Sequence, residues 1–410
     1  MAKWLDWMRR HAGRKLAGIH AWNGWIVLLL AATGLLLASG FWRGVLGEGR
    51  VWLKWVHIAA GLVSVAPIIL YMTLIGKHWR LLKGRPWQRF NIVVVLTLLA
   101  GWLLSGVILW QFRLAGPALS NAALVAHDLL TWIGLPYIIY HSLTRTRWIK
   151  QAGRRAVITE RSEERLHPAA PQPLYTRRAF LRTAIGAGLA VAFGPSLLQW
   201  VGRSLGSTSG SALERLAEND KNRLLPAPQP LADSSPPVGG GAQGHFRIYT
   251  VTPIPAFTNN DWSFTVDGLV DRPFTWNWEE FVSRKRTVQV SDFHCVTGWS
   301  VYRNTWEGIP LRELLDLAGV RPEAKTVKLY SGDGVYTESL TLDQARMDDV
   351  MVAVLHDGRP LPSDLGGPAR LIVPKMYAYK SIKWLNRIEL IAGDHDGYWI
   401  ERGYSKDAWV

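Results

Sequence analysis

Apolar residues run with few interruptions through four stretches of the first 150 residues: 20–40, 55–75, 91–111 and 124–143. Each has about the twenty residues that a helix needs to cross the hydrocarbon layer of a bilayer. Connections of roughly ten to fifteen residues place consecutive helices antiparallel, which predicts an up-and-down four-helix bundle. A fifth apolar run, 183–201, follows a polar interval and predicts one anchoring helix. Past residue 245 the pattern shortens and alternates. Residues 264–269, 287–290, 326–330, 351–355 and 370–373 read as strands, and 311–318 as a helix. The fold class expected is a membrane α-helical bundle, four helices plus one anchor, followed by a soluble α+β domain. The expected divisions are 1–150 for the bundle, 151–202 for a cytoplasmic linker and the fifth helix, 203–245 for a Gly/Ser/Pro-rich tether, and 246–410 for the soluble domain.

The formal net charge of +15 fits this division. Lys3, Arg9, Arg10, Arg14 and Lys15 precede the first run; Lys77, Arg80, Lys83, Arg85 and Arg89 lie between the second and third; Arg145, Arg147, Lys150, Arg154 and Arg155 follow the fourth. Positive blocks beside spans stay in the cytoplasm, so the amino terminus is expected there and the carboxy-terminal domain on the far side of a bacterial inner membrane. The soluble half has no basic stripe interleaved with aromatics, which argues against a nucleic-acid partner. Lipid is the expected surrounding. Thr176-Arg177-Arg178-Ala179-Phe180-Leu181-Arg182, just before the fifth run, matches a twin-arginine export signal except for Arg in place of a terminal Lys. It implies the twin-arginine export machinery as a partner, and so a domain that folds around a cofactor before it crosses.

Four histidines punctuate the bundle: His20 and His57 near the starts of the first and second spans, His127 and His141 at the two ends of the fourth. Fourteen residues along a helix rise about 21 Å and return to within roughly 40° of the same face. Antiparallel helices then set His57 level with His127 and His20 level with His141, one pair at each depth. Low-spin haem iron takes two neutral imidazoles, and a bundle interior can present them from facing helices. His78 and His11 are spare candidates.

With these residues, Phe90-Asn91 and Gly106-Val107-Ile108-Leu109-Trp110, residues 10–145 resemble the b-type cytochrome subunits of membrane formate dehydrogenases and nickel-iron hydrogenases. The resemblance implies two haem b groups held by His20, His57, His127 and His141. It also implies a quinone site near Asn91 and His141, although the Gly-Gln-Lys that follows the asparagine in some relatives is absent.

One cysteine, Cys295, stands in Asp292-Phe293-His294-Cys295-Val296-Thr297-Gly298-Trp299-Ser300 after a strand. A single thiol makes no intramolecular disulfide and no zinc tetrahedron without further ligands. As a thiolate it is a soft donor that can complete a sulfur-rich metal centre. Paired with His294 it could instead be a hydrolase nucleophile, although adjacent strand residues point to opposite faces. Gly366-Gly367-Pro368-Ala369-Arg370-Leu371-Ile372-Val373-Pro374 and Tyr379-Lys380-Ser381-Ile382-Lys383 add cations able to grip a phosphate and glycines that admit close approach.

Together, residues 246–390 resemble the sulfite oxidase superfamily of molybdopterin enzymes, and within it the catalytic subunits of periplasmic methionine sulfoxide reductases. The resemblance implies Cys295 as the molybdenum ligand and catalytic centre. It implies Arg370, Ser381, Ile382 and Lys383 as pterin contacts, with Ser331 standing for a threonine and Phe246, Tyr249 and Thr250 forming an opening segment. Leu365 and Phe246 replace expected asparagines, and Thr297 replaces a glutamate. The arginine-rich run that follows the cysteine in sulfite-oxidising relatives is missing, and too few residues follow Lys383 for their dimerisation domain. Trp299, Arg303 and Tyr377 are pocket candidates by proximity.

The expected activity is electron transfer from a quinol pool, by way of two b haems, to a Cys-ligated molybdopterin centre that reduces a small periplasmic sulfoxide-type substrate. The competing readings are a dehydrogenase of a small substrate such as sulfite that delivers electrons to quinone, a membrane redox relay without turnover, and a cysteine hydrolase.

Overall fold

The computed structural model describes residues 12–39, 42, 45–144, 177–205, 214 and 216–410. The basic amino terminus through His11, the interval 145–176 with Thr176 of the twin-arginine motif, and most of 206–215 lie outside the described residues. Two compact units divide the chain. One holds the helices, through Leu35, over Trp55–Trp110 and over Ala123–Leu205; the other holds Leu36–Lys54, Gln111–Ala122 and Gly206–Val410.

The helical unit is built from α1 (Ala12–Ala38), α2 (Gly49–Val63), α3 (Val65–Leu81), α4 (Pro86–Trp110), α5 (Phe112–Thr144) and α6 (Arg177–Leu205). Helices α2 and α3 form one span of 33 residues, interrupted where Ser64 Oγ donates to Gly61 O ahead of Pro67. Gly84, at φ +78°, turns the chain before Pro86, whose fixed φ opens α4. Gly116, at φ +74°, breaks α5 near its start. Among the described residues, five helical segments are long and apolar enough to cross a membrane: Leu16–Ala38, Gly49–Leu81, Pro86–Trp110, Phe112–Thr144 and Ala179–Gly202. They coincide with the five apolar runs. Trp25, Trp52 and Trp87 face outward from them. The fifth helix packs on the fourth span through Trp132 and Phe193, and Trp200 Nε1 donates to Asp128 Oδ2 at 3.4 Å.

The α+β unit has two five-stranded sheets. In the first, β1 (Ser263–Gly268), β2 (Phe274–Asn277), β5 (Thr326–Ser331), β6 (Thr337–Thr341) and β10 (Leu385–Ile391) run in the order β2-β1-β10-β5-β6. Only the β1–β10 pair is parallel, with Val266 opposite Ile388. In the second, β3 (Thr287–His294), β4 (Ser300–Pro310), β7 (Met351–His356) and β8 (Arg359–Pro360) follow one another, and β9 (Arg370–Ile372) pairs with β7. A short helix, α7 (Trp278–Val282), begins in a capping box formed by Asn277 and Glu280. Helix α8 (Leu311–Ala318) buries Leu311, Leu314, Leu315 and Ala318, the spacing of one helical face. Each of those leucines removed from water contributes about 1.5–3 kcal/mol. Gly319 closes the helix at φ +68°.

Residues 216–244, whose composition predicts a tether, are held against the second sheet. Leu231 N donates to Glu307 Oε2 at 3.0 Å, Gly239 N to Thr305 Oγ1 at 3.1 Å and Ala242 N to Asp357 Oδ2 at 2.7 Å. Gln243 bridges to Tyr302 as an added strand residue. Proline and glycine suit this path because its hydrogen bonds go to buried side chains and not to a regular ladder.

Candidate functional site

Cys295 sits where β3 ends. The turn to β4 is closed by Cys295 N donating to Trp299 O and Gly298 N donating to Cys295 O, both at 3.0 Å. Gly298 takes φ +91°, a conformation a side chain would resist. The half-buried thiol lies 3.3 Å from Thr297 Oγ1. Burial raises its pKa, while Thr297, Arg247 and Lys383 pull it the other way. The cations favour the thiolate a metal would bind, whereas the metal-free group is held as a thiol. His294 does not activate it: its Nδ1 is 2.8 Å from Ser300 Oγ and its ring packs on Tyr302. Nucleophile and base are therefore not paired as hydrolase chemistry requires. Among the described residues, no group of three or more His, Cys, Asp or Glu is arranged around a bare metal ion.

Arg370, which adjoins Phe293 two residues before Cys295, is 2% exposed. Its guanidinium lies 4.9 Å from the Phe293 ring, with Nη1 donating to Leu365 O at 2.6 Å and Nη2 to Ser381 O at 3.0 Å. Its Nε is buried without a hydrogen-bond acceptor. Burial pulls its pKa down to about 9. Lys383 Nζ donates to Tyr249 O at 3.1 Å and Asp364 O at 3.0 Å, which engages two of its three hydrogens. Gly367 is required beneath this loop, since a Cβ there would stand 1.8 Å from Leu361 O. A half-buried ammonium with a donor to spare, near a buried guanidinium N–H that lacks an acceptor, fits an anionic group such as a pterin phosphate.

The remaining expected residues divide by what they touch. Tyr249 meets Lys383 through its carbonyl, and Thr250 follows it half-buried. Ser381 Oγ accepts from Val373 N, so that side chain braces the loop. Ile382, 1% exposed, belongs to the hydrophobic core. Ser331 Oγ accepts from Asp333 N at 3.3 Å. Phe246, in place of an asparagine, offers no polar contact and instead packs against Phe293, Trp299, Trp306 and His356. Trp299 thus walls the site, while Arg303 is drawn aside, Nε donating to Gly239 O at 2.8 Å, and Tyr377 packs on Phe112. Arg247, Tyr404 and His356 are neighbours that sequence reasoning did not single out. Arg247 adjoins Phe246 and was discoverable as a cation in the opening segment; Tyr404 and His356 carry no local signal.

Anion binding here should depend on pH in a defined direction. Burial, with repulsion from Arg370, brings the Lys383 pKa down to about 7. A bound phosphate favours the charged ammonium, so binding above that pH requires proton uptake and affinity should fall by up to about tenfold per pH unit. Calorimetry of the cofactor-free chain with its pterin cofactor, between about pH 6 and pH 9, should show that decline; Lys383→Gln should bind weakly and with a flat profile. Equal wild-type affinity at both ends would remove Lys383 from the anion site.

In the helical unit, the His57 and His127 rings are 6.4 Å apart between centroids. Two imidazoles on one iron require roughly 6 Å, from two metal–nitrogen bonds of about 2 Å and the ring radii. Thr33 Oγ1 donates to Leu29 O and lies 2.8 Å from His57 Nδ1; Ser105 Oγ donates to Gly101 O and lies 2.9 Å from His127 Nδ1. Each hydroxyl has committed its hydrogen, so it accepts from Nδ1–H and leaves the lone pair on Nε2, the ligating form. This pair fits a haem iron. Farther along, Asn91 Oδ1 accepts from Tyr137 OH at 2.7 Å and from His141 Nδ1 at 2.9 Å.

The family model of the oxidoreductase molybdopterin binding domain matches residues 251–399. The chain is 32% identical over 194 residues to the uncharacterized oxidoreductase YuiH of Bacillus subtilis, covering 47% of this chain and 92% of YuiH. It is 26% identical over 246 residues to the protein-methionine-sulfoxide reductase catalytic subunit MsrP of Campylobacter jejuni, covering 56% and 78% of the two chains. It is also 31% identical over 140 residues to YedZ1 of Azospira oryzae, 34% of this chain and 53% of that one. The cysteine at a strand end, the cations Arg370 and Lys383 in its neighbourhood and these matches agree: the chain belongs to the family of sulfite-oxidase-type molybdopterin-binding oxidoreductases.

Proposed function

We propose that this oxidoreductase is anchored in the bacterial inner membrane by its five apolar helices and reduces a small sulfoxide-type substrate outside the cytoplasm with electrons drawn from quinol. The observation that carries the reading is the conjunction of Cys295 with the buried Arg370 and the half-buried Lys383 inside the matched domain. When bound there, a molybdenum–pterin group supplies two-electron oxygen-atom transfer. The chain's own residues hold and enclose it. Cys295 supplies the thiolate, Arg370 Nε and Lys383 Nζ meet the anionic part, and Phe246, Phe293 and Trp299 exclude water from one side. In the bundle, His57 and His127 would hold one haem b, and His20 serves a second. Asn91, Tyr137 and His141 form the hydrogen-bonding side of a quinol pocket. The sulfoxide class is supported by the sequence resemblance and by MsrP, a relative named for methionine sulfoxide.

The test is optical. Purified full-length protein in detergent is reduced with limiting dithionite and mixed with methionine sulfoxide beside a Cys295→Ser control. Re-oxidation of the haem bands in the wild type alone is the expected result. Bands that stay reduced with sulfoxide, yet appear on adding sulfite to oxidised protein, would reverse the direction of electron flow.

A further inference from the structure

We infer that residues 48–54 form the substrate-binding side of the Cys295 site, and that Arg50 and Lys54 select a substrate bearing a carboxylate over a neutral one. The inference rests on the sulfoxide reading proposed above and narrows its class to small anionic sulfoxides. The segment opens α2, yet it belongs to the α+β unit. There it is pinned on the carboxy-terminal loop. Glu48 Oε1 accepts from Tyr398 OH and from Arg402 Nε, both at 3.1 Å, and also pairs with Arg402 Nη2. Two residues on, the Arg50 guanidinium lies 4.9 Å from the centre of the Trp399 ring and 6.0 Å from that of Tyr249. Lys54 Nζ lies 5.0 Å from the centre of the Tyr404 ring, which packs 5.2 Å from Trp399.

These rings lead to the cysteine. Tyr249 is the residue whose carbonyl accepts from Lys383 Nζ at 3.1 Å. Burial pushes the Tyr404 pKa up to about 12; a charge on Cys295 adds to the rise and Arg50 opposes it, so thiol and guanidinium both lie within electrostatic reach of one phenol. Arg370 and Lys383 answer the anionic group of the cofactor, and Arg50 and Lys54 are positive charges beyond that need. Carboxylates of the neighbouring chain are tied to other cations: Glu48 to Arg402, Asp407 to Arg113 at 3.0 Å, and Asp394 and Asp396 to Lys406. Thr297, two residues past the cysteine, is neutral. A guanidinium beside aromatic faces is held in plane, and its fork matches a carboxylate, to which an ammonium adds a point charge. A neutral sulfoxide would draw nothing from either.

Calorimetric binding of N-acetylmethionine sulfone and of its carboxamide, unreactive stand-ins that differ by one charge, tests the inference on the full-length protein as purified in detergent. The expected result in the wild type is a carboxylate-to-amide affinity ratio of about tenfold or more, the share of one charge-assisted hydrogen bond. Arg50→Gln and Lys54→Gln should each bring that ratio toward one, while Arg50→Lys, which keeps the charge and loses the fork, retains part of it. Because the ratio is internal to each protein, a variant with a smaller folded fraction still reports it. Turnover of the two corresponding sulfoxides is measured alongside. Equal binding of the two sulfones, no binding of the carboxylate form, or a ratio untouched by both glutamine variants overturns the inference; turnover of both sulfoxides would then leave the sulfoxide reading standing. A charge preference that Arg50→Gln abolishes, in a protein that reduces neither sulfoxide, supports the anion-selecting segment and overturns the sulfoxide reading instead.

Discussion

Replacing Cys295 with serine should remove turnover by more than the 10–100-fold that losing a mere supporting partner of a metal ligand costs, roughly a hundredfold at the least. A hard hydroxyl is a poor substitute for a soft thiolate on a sulfur-rich centre. The fold should hardly register the change, because the hydrogen-bond contacts of Sγ are with Thr297 on the same half-buried turn, and a serine hydroxyl can keep them. Molybdenum content by mass spectrometry and turnover with an artificial electron donor would be read together. A variant that keeps its metal and its rate would show that the thiol is a bystander. The hydrolase alternative makes the opposite chemical prediction, a reactive thiolate labelled at neutral pH, and a thiol whose pKa is raised does not supply one.

Lys380→Met should be the most damaging substitution for stability in the α+β unit. Lys380 Nζ donates to Glu338 Oε1 at 2.7 Å and to Ser339 O at 2.9 Å, with the two charged side chains 2% and 0% exposed. Burial already pushes the Glu338 carboxyl above its ordinary range, and Lys380 is its main offset. Removing one partner of such a pair costs about 3–5 kcal/mol, because the other charge stays buried and uncompensated. The double variant Lys380→Met with Glu338→Leu should recover most of the loss, since matched apolar replacement of a buried pair is often neutral. Thermal unfolding of the full-length protein distinguishes these outcomes; a single variant as stable as wild type would mean the pair is solvated. The same lysine begins the run that carries Ser381 and Lys383, so pterin retention should fall with stability.

Much of this was readable before any coordinates. The five apolar runs became five long helices, because an uninterrupted apolar stretch of about twenty residues is a strong and unambiguous sequence signal. Helix α8 was legible from its leucine spacing. Strand β4 was not, although it is central in its sheet. It carries Arg303, Asn304, Thr305, Glu307 and Gly308, which give it no run of apolar or alternating positions, and it was not among the strands expected. Asn304, Thr305 and Glu307 are nevertheless buried, satisfied by His356 Nε2, Asp357 and Leu231 N, partners scattered along the chain. Gly308 is there because a Cβ would strike Val352 O at 2.2 Å, a close approach that only the paired strand reveals. Cys295, Arg370 and Lys383 were found by motif, and the structure adds their division of labour. Ile382 and Ser381 shape the loop and Phe246 walls the pocket. Motif membership alone cannot separate a residue that touches a ligand from one that positions its neighbour.

The strap over the second sheet determines where a soluble, detached form of this enzyme can begin. A cut at residue 245, the boundary that composition suggests, would strip Glu307 of its Leu231 N–H and leave it with Arg286 alone, 3.1 Å away in a buried pocket. It would also uncover Thr305 and Asp357, which now receive Gly239 N and Ala242 N. Release by proteolysis or by gene truncation has to fall ahead of Asp220, whose carboxylate accepts from Ser363 N close to the cofactor loops. The stretch that looks like slack between the helices and the α+β domain is, from that residue onward, already part of the domain.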